Sequence, residues 1–341
     1  MSAAANAPAP TPAPAPARSR SLLHEAERFG VLLLLIGVVV VFSLLQPDTF
    51  ASAANFRNIA TSNSVLAIVA LAIVVPLTGG RFDVSVGNIV SVSAITCAAL
   101  AGKHGVPLLP AALVAVAFGA VLGLVNGLIV AYLGVNSIIA TLGTGTIMSG
   151  LVQAYTDGVP LSEGIPSTLT DVATKTVAGL PIIFLIMLVI CAAVWFLLTQ
   201  TPFGRRLLAI GSNQSSARLT GLNVPRTVTL GFVAAGTIAG FGGVLQLAAQ
   251  GSGDPSVGGL GFILPALAAV FLGATTWEPG RFNVPGTLLA LFFVGTTVAG
   301  LTIAGVAPWV TDVFNGAAVV VAIVISAQLR RRRTGTMEVG A

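Results

Sequence analysis

The chain has 341 residues, of which 55% are apolar and 8% are charged, with a formal net charge of +5 and a mean hydropathy of +0.97. A soluble domain carries about 25% charged residues, so this composition excludes soluble enzymes and nucleic-acid-binding proteins. Residues 32–45 and 182–199 contain no charged residue and are apolar on every side, which is typical of membrane helices and not of the alternating strands of a membrane barrel. We therefore predict an all-α fold, a polytopic transmembrane helical bundle.

Composition divides the chain into three regions. Residues 1–28 begin with an Ala/Pro-rich stretch that cannot bury a core, and they are predicted to form a disordered cytoplasmic tail. Residues 29–329 are predicted to be the transmembrane domain, interrupted by a long polar cytoplasmic loop at 200–226. Residues 330–341 begin with four arginines and are predicted to be a basic cytoplasmic tail.

Long apolar runs predict about ten membrane spans. In chain order these runs are 29–45, 64–77, 86–101, 109–133, 138–153, 181–199, 228–247, 260–272, 284–303 and 309–327. The eighth run is short and begins among glycines, so we expect it to enter the bilayer only partly.

Basic residues fall mainly on one side of the predicted bundle. With the N-terminus inside, 13 of the 16 basic residues lie in inner segments, and the outer segments keep only Arg57, Lys103 and Lys175. Because cytoplasmic segments of membrane proteins are enriched in Lys and Arg, both termini are predicted to be cytoplasmic.

The chain has no sequence of the kind that binds nucleotide phosphates through a Walker A loop. That loop needs a lysine between a glycine and a Ser or Thr, whereas Lys103 is followed by His104 and Lys175 is preceded by Thr174. We therefore expect no catalytic residue, cofactor or metal site in this chain, and a separate partner as the energy source for uphill transport.

Few ionisable residues lie within the predicted spans, which disfavours ion-coupled transport, but a stand-alone secondary transporter or facilitator remains an alternative.

The segment 200–226 is the most informative polar stretch. Ser212 or Asn213 can cap a short helix that ends at Gly221, with Pro225 just beyond. On the cytoplasmic side, such a helix is either a docking element for a soluble protein or an interfacial helix held by lipid headgroups.

Two repeated patterns concern helix packing. Gly119, Gly123 and Gly127 recur at four-residue spacing, as do Gly236 and Gly240, and small residues at this spacing allow two membrane helices to approach closely. In addition, residues 80–84 and 280–284 share the pattern Gly-Arg-Phe-Asx-Val, which would fit a parallel repeat.

Three stretches resemble one family of transporters, the ATP-binding-cassette (ABC) importer permeases of the ribose/xylose/galactose type. Residues 201–221 match that family's coupling-loop pattern Thr-Pro-Phe-Gly-Arg, Ala-Ile-Gly-x-Asn and Glu-Ala-Ala-Arg-x-Ser-Gly-Ile, except that Ser215 replaces the Glu. Residues 77–87 resemble its Gly-Gly-Ile-Asp-Leu-Ser-Val-Gly signature, and residues 123–144 resemble its fourth and fifth helices. The match is weakest at 260–287.

The resemblance implies a permease subunit of an ATP-driven, binding-protein-dependent importer for a sugar or polyol, in the bacterial cytoplasmic (inner) membrane. The implied partners are an ABC ATP-binding subunit that holds ATP and Mg, an extracytoplasmic solute-binding protein, and a second permease copy or a sister permease. A branched-chain amino-acid-type ABC permease remains an alternative. The residues implied to couple to the ATPase are Gly204, Arg205, Arg206, Gly211, Asn213, Arg218 and Gly221.

Polar residues on the predicted third to fifth spans are candidates for the solute path. Ser85, Asn88 and Ser91 recur every three residues, and hydroxyl and amide groups can exchange hydrogen bonds with a sugar. The alternative is that such groups only bond one helix to another. The complete set of candidate path residues is Asp83, Ser85, Asn88, Ser91, Asn126, Thr141 and Thr144.

Overall fold

The structure, a computed structural model, describes residues 22–334, with side chains at 29–326 and 328, and most of these residues are helical. The helices are α1 (Leu22–Leu45), α2 (Ala53–Thr78), α3 (Val86–Ala98), α4 (Leu108–Ala131), α5 (Ser137–Thr156), α6 (Ser167–Thr174), α7 (Ile182–Thr199), α8 (Pro202–Ser212), α9 (Gln214–Leu219), α10 (Val224–Gln250), α11 (Leu260–Gly273), α12 (Val284–Ile303) and α13 (Pro308–Thr334). A π-helical turn, Ala99–Lys103, continues α3, and a short antiparallel hairpin of β1 (Thr176–Val177) and β2 (Leu180–Pro181) precedes α7. The predicted tails 1–28 and 330–341 lie largely outside the described residues, although α1 and α13 extend into them.

All ten predicted apolar runs lie in helices, so the predicted polytopic all-α bundle is confirmed. Within the described residues, eight helices are long and apolar enough to cross a membrane, while the apolar part of α1 (Phe29–Leu45) and α11 are shorter. The largest boundary error is at α2, which begins at Ala53 and not at residue 64. Its polar first turns are helical because the side chain of Ser52 caps them, accepting a hydrogen bond of 3.1 Å from the N–H of Asn55.

The helices form an inner and an outer layer. In the most apolar 18-residue window of each helix, the share of residues that are buried is 78% in α2, 72% in α3 with its π turn and 67% in α10. This share is only 17% in α7 and 11% in α13. The inner helices α2, α3 and α10 therefore form the core, which α11 joins, and α7 and α13 turn apolar side chains outward.

The predicted glycine ridges pack α4 against α10. A Cβ on Gly123 would collide with the carbonyl oxygen of Phe232, and one on Gly119 would lie 2.6 Å from the carbonyl oxygen of Gly236. Thr229 adds a hydrogen bond across this contact, donating to the carbonyl of Gly127 at 3.2 Å. This close contact fixes α10 beside α4.

Several loops collect on one face, which we call the basic face. There the guanidinium of Arg81 donates a hydrogen bond of 2.7 Å to the Gln214 side chain, and the ring of Phe271 lies 6.2 Å from that of Phe82 and 5.5 Å from that of Phe282. The segments joined in this way are 79–85, 200–226 and 271–283. The arginines on these segments are Arg81, Arg205, Arg206, Arg218, Arg226 and Arg281.

The opposite face, which we call the acidic face, is held together by loop contacts of its own. Leu161 and Gly253 exchange two backbone hydrogen bonds of 2.8 Å, and a Cβ on Gly164 would lie 2.6 Å from the carbonyl oxygen of Gly102. At the end of α6, Lys175 forms an ion pair of 2.7 Å with Asp171. The acidic residues on the segments 157–175 and 251–259 are Asp157, Glu163, Asp171 and Asp254. The basic face thus carries the segments that the charge pattern assigned to the inner side, and the acidic face carries segments that it assigned to the outer side.

A first non-helical arm, residues 79–85, enters the bundle from the basic face along α5. The N–H of Phe82 donates to the hydroxyl of Ser137 at 3.1 Å, and the N–H of Val84 donates to the hydroxyl of Thr141 at 3.0 Å. Because the arm runs along α5 toward the interior, α3 begins inside the bundle and not at its surface.

A second non-helical arm, residues 251–259, enters from the acidic face along α3. A Cβ on Gly253 would lie 2.9 Å from the Cβ of Ala98, whereas one on Gly259 would lie 2.8 Å from the Asn88 amide oxygen. The arm therefore runs down most of α3, and α11 is short because it begins inside the bundle.

These arms define an inverted repeat. The α2–arm–α3 unit enters from the basic face, and the α10–arm–α11 unit enters from the acidic face. The segments 80–84 and 280–284, which predicted a parallel repeat, do lie side by side around Phe271. The larger internal symmetry, however, relates α2 and α3 to α10 and α11 in the opposite orientation.

Candidate coupling surface and membrane-embedded polar cluster

The segment 200–226 folds as two helices in place of the one predicted. Thr201 caps α8, its hydroxyl accepting a hydrogen bond of 3.3 Å from the N–H of Gly204. A Cβ on Gly204 would collide with the carbonyl of Leu198, and one on Gly211 would collide with the carbonyl of Thr78. These two glycines let α8 fold back on α7 and pack against the end of α2.

Helix α9 has the caps that the sequence predicts. The side chain of Asn213 accepts a hydrogen bond of 2.9 Å from the N–H of Ser216, and Gly221 follows the helix with φ +80°. The N–H of Gly221 donates to the carbonyl of Arg218 at 3.0 Å. Asn213 and Gly221 therefore shape the helix, and the side chains free to meet another protein lie between them.

The outward side of α8 and α9 is basic with one apolar side chain at its tip. Arg205, Arg206 and Arg218 are exposed, and Leu219 is 89% exposed, the most exposed of the large apolar side chains with described burial. Sequence reasoning missed Leu219, because the segment holds several other apolar residues, such as Leu207 and Leu222, and the sequence alone does not single out Leu219. We call Arg205, Arg206, Arg218 and Leu219 the coupling surface.

A hydrogen bond joins α9, which carries part of the coupling surface, to the first arm. The 2.7 Å contact between Arg81 and Gln214 spans the end of α2 and the first residue of α9, and the Nε atom of Arg81 is buried without a hydrogen-bond partner among the described residues. A displacement of α9 would therefore act directly on the first arm.

Five of the seven candidate path residues lie together in a buried polar cluster. The Asp83 carboxylate accepts hydrogen bonds from the N–H (3.0 Å) and hydroxyl (2.6 Å) of Ser85, and the amide of Asn126 donates to Ser85 at 2.7 Å. The hydroxyl of Thr144 completes the chain by donating to Asn126 at 2.7 Å, and Thr141 holds the first arm. In this conformation the cluster bonds the first arm to α4 and α5.

Asn88 and Ser91 lie on α3 outside this chain of hydrogen bonds. Asn88 is half-buried between Gly145 of α5 and Gly259 of the second arm, and its side chain makes no hydrogen bond within the described residues. The hydroxyl of Ser91, a residue 8% exposed, is buried and unpartnered within the same part of the chain. These two polar groups therefore have unused hydrogen-bonding capacity.

Residues 55–323 match the profile of a family described as branched-chain amino acid transport system / permease component. The chain belongs to this permease family. The ribose import permease RbsC of Haemophilus influenzae is 30% identical over 302 residues, covering 88% of this permease and 92% of that protein. The galactose/methyl galactoside import permease MglC of Escherichia coli K12 is 32% identical over 320 residues, covering 89% and 94%.

Family membership confirms the predicted importer permease and favours it over a stand-alone secondary transporter. A solved structure of an inward-facing metal-chelate type ABC transporter covers 89% of this permease and 97% of its own chain, at 19% identity and a TM-score of 0.48. That likeness is too distant to support an argument about the site.

Proposed function

We propose that this permease forms the translocation path of an ATP-driven importer for a sugar or polyol, with ATP and Mg held by a separate ABC ATP-binding subunit. The observation that carries the proposal is the coupling surface, an exposed basic helix pair with Leu219 at its tip, bonded to the first arm through Arg81 and Gln214. A surface of this kind serves to receive force from a soluble partner.

The sugar class rests on the relatives and on the chemistry of the embedded polar groups. The relatives named above are import permeases for ribose and for galactose or methyl galactoside. Hydroxyl and amide groups line the α3 face and the cluster, and such groups form exchangeable hydrogen bonds with uncharged polyols. The family description also names branched-chain amino acids, so leucine is the competing solute to test.

The coupling surface is suited to docking of the ATPase. A leucine that is 89% exposed contributes little to this chain's own packing, and beside the exposed Arg218 it fits an apolar pocket with an acidic rim on a partner. The hydrogen bond between α9 and Arg81 favours a coupling role over simple lipid anchoring. The same face collects six arginines, which supports a cytoplasmic orientation by the positive-inside rule. Because the relatives named above are bacterial import permeases, the proposed membrane is the bacterial cytoplasmic membrane.

The outward side of α5 supports a second permease copy or sister permease. Gln153 is exposed on this span, together with Gly143 and Gly150, at which an added Cβ would meet nothing within 4 Å. An amide facing lipid is unfavourable, whereas small and polar residues favour helix association in membranes. The acidic face is then the side available to the solute-binding protein.

Mass spectrometry of the proteins that copurify with the tagged permease from its native membrane tests this assignment. We expect a stoichiometric ABC ATP-binding subunit, and cross-linking from residue 219 should link to it. A permease that purifies alone and still moves ribose or galactose across liposomes without ATP would contradict the proposal.

A further inference from the structure

The two arms share a short sequence and an identical turn. Residues 83–87 and 254–258 both have the sequence Asp-x-Ser-Val-Gly. In the second arm, Asp254 accepts hydrogen bonds from the N–H (2.8 Å) and the hydroxyl (2.6 Å) of Ser256, as Asp83 does from Ser85. The turn comes shortly before each helix, but α3 begins directly after Ser85, whereas Val257, Gly258 and Gly259 separate Ser256 from the start of α11.

The starts of α3 and α11 meet near mid-depth in the bundle. The Asn88 amide nitrogen would lie 2.6 Å from a Cβ on Gly145, and Gly145 is about two turns, or about 12 Å, into the span of α5. A Cβ on Gly259, the residue before α11, would lie 2.8 Å from the amide oxygen of the same Asn88. Both helix starts therefore lie well away from either face.

Hydrogen-bonding groups at this meeting point have no partner in the described part of the chain. No side chain caps α11, and no acceptor is found for the N–H groups of Leu260 and Gly261. Leu260 is 61% exposed, so this first turn opens to the outside of the protomer. The Asn88 side chain is also unpartnered among the described residues. The Ser91 side chain lies against the second arm, since its Cβ is 3.0 Å from a Cβ placed on Gly258, and its hydroxyl is buried without a partner in the same part of the chain.

An open helix start at this depth is unfavourable against lipid. Unsatisfied backbone groups in hydrocarbon are avoided, and non-helical backbone at membrane depth occurs where it is buried or lines a water-filled cavity. In transporters, helix starts inside the membrane are typical of solute sites. Most of the polar cluster does not have this property, because Ser85, Asn126 and Thr144 bond to one another. Within the cluster, the Oδ2 atom of Asp83 is the one side-chain atom that is buried without a hydrogen-bond partner among the described residues.

We propose that Asn88, Ser91 and the first turn of α11 form a site that binds hydroxyl groups of the transported sugar near the middle of the membrane. This inference rests on the proposed function as a sugar permease. The amide of Asn88 and the N–H groups of α11 donate to sugar oxygens, and the Ser91 hydroxyl becomes available when the second arm moves off it. The cluster of Asp83, Ser85, Asn126, Thr141 and Thr144 then positions the start of α3 and does not contact solute.

Cysteine accessibility tests the location of the site in the assembled importer. In a Cys97→Ala, Cys191→Ala background, Asn88→Cys and Gly261→Cys should react with a charged, membrane-impermeant methanethiosulfonate at least about tenfold faster than Val189→Cys. Val189 is 70% exposed on the outer span α7, so it is the matched lipid-facing control. Saturating ribose or galactose should slow the reaction. Reaction of Asn88→Cys no faster than that of Val189→Cys, with and without ATP, would overturn the site.

A pair of serine variants tests the binding role. Ser91→Ala should raise the KM for ribose or galactose uptake about 3- to 10-fold, the loss of one hydrogen bond, with the amount of folded importer unchanged. Ser93→Ala is the control, because the Ser93 hydroxyl donates to the carbonyl of Ala115 at 3.2 Å and its residue is fully buried. Equal KM values for both variants would overturn the role of Ser91.

The two proposals fail in different ways. Absence of ATP-driven uptake of either sugar by the unmodified complex would contradict the proposed function, whatever the labelling shows. Uptake by the unmodified complex together with an unreactive Asn88→Cys would contradict the site alone.

Discussion

At the scale of single residues, Leu219 makes the clearest prediction. It is 89% exposed at the tip of the coupling surface, so replacing it with a charge should leave the fold intact and weaken docking. We expect Leu219→Asp to lower ATPase affinity at least about tenfold, since a central apolar interface residue contributes about 2 kcal/mol. The measurement is ATPase binding to the purified permease, with Leu180→Asp on the acidic face as the matched control. Equal binding by the two variants would contradict the docking surface.

Two threonines on α5 allow the hydrogen bonds of the polar cluster to be compared with hydrogen bonds made within a single helix. Thr144 donates to Asn126 on α4 at 2.7 Å, whereas Thr146 donates only to the carbonyl of Leu142 in its own helix at 2.9 Å. Thr144→Val should therefore destabilise the permease by about 1 kcal/mol, and Thr146→Val by close to zero. Thermal unfolding in detergent measures the difference. A larger loss for Thr146→Val would mean that the cluster does not hold α4 to α5.

At the scale of elements, the link between α9 and the first arm should transmit motion. Arg81→Ala and Gln214→Ala each remove the 2.7 Å hydrogen bond, so each should lower the solute moved per ATP hydrolysed, and the double variant should be no worse than either single one. Arg226→Ala is the control, because Arg226 is exposed on the same face, lies outside the coupling surface, and its side chain makes no hydrogen bond among the described residues. Additive losses for Arg81 and Gln214 would rule out the link.

The elements differ in how far their sequence predicts them. Apolar runs predict the helical spans because hydrophobicity is local, and the caps of α9 could be predicted because Asn213 and Gly221 act on adjacent backbone. The arms could not be predicted from local pattern, since Gly87 and Gly259 have meaning only when they lie against each other. The repeated Asp-x-Ser-Val-Gly at 83–87 and 254–258 was a usable signal. It was obscured by the likeness of 80–84 to 280–284, which has the same length and the same number of identical residues.

The candidate site was predicted in part. The polar residues of α3 to α5 were found by type and spacing, but spacing could not separate the satisfied residues from Asn88 and Ser91. That distinction depends on which partner each side chain reaches across the bundle. Leu219 was missed because its exposure depends on how α9 projects from α8.

At the scale of the whole molecule, labelling of the two lysines can show which face of the permease lies outside the cell. Lys175 is exposed on the acidic face, and both Lys103 and Lys175 lie in segments assigned to the outside. A membrane-impermeant amine reagent should therefore modify Lys175 in intact spheroplasts, as detected by peptide mass spectrometry, while inverted vesicles should protect it. Modification only in inverted vesicles would reverse the topology and place the coupling surface on the wrong side for an ATPase.

The central claim is that this permease moves a sugar at the expense of ATP hydrolysed by a subunit docked on its basic face. The most direct test is uptake of radiolabelled ribose, galactose and leucine by proteoliposomes holding the complete complex, with ATP supplied on the basic face and the binding protein on the acidic face. The account predicts accumulation of a sugar, and not of leucine, that requires both ATP and the binding protein. Equal uptake without ATP, or accumulation of leucine alone, would contradict it.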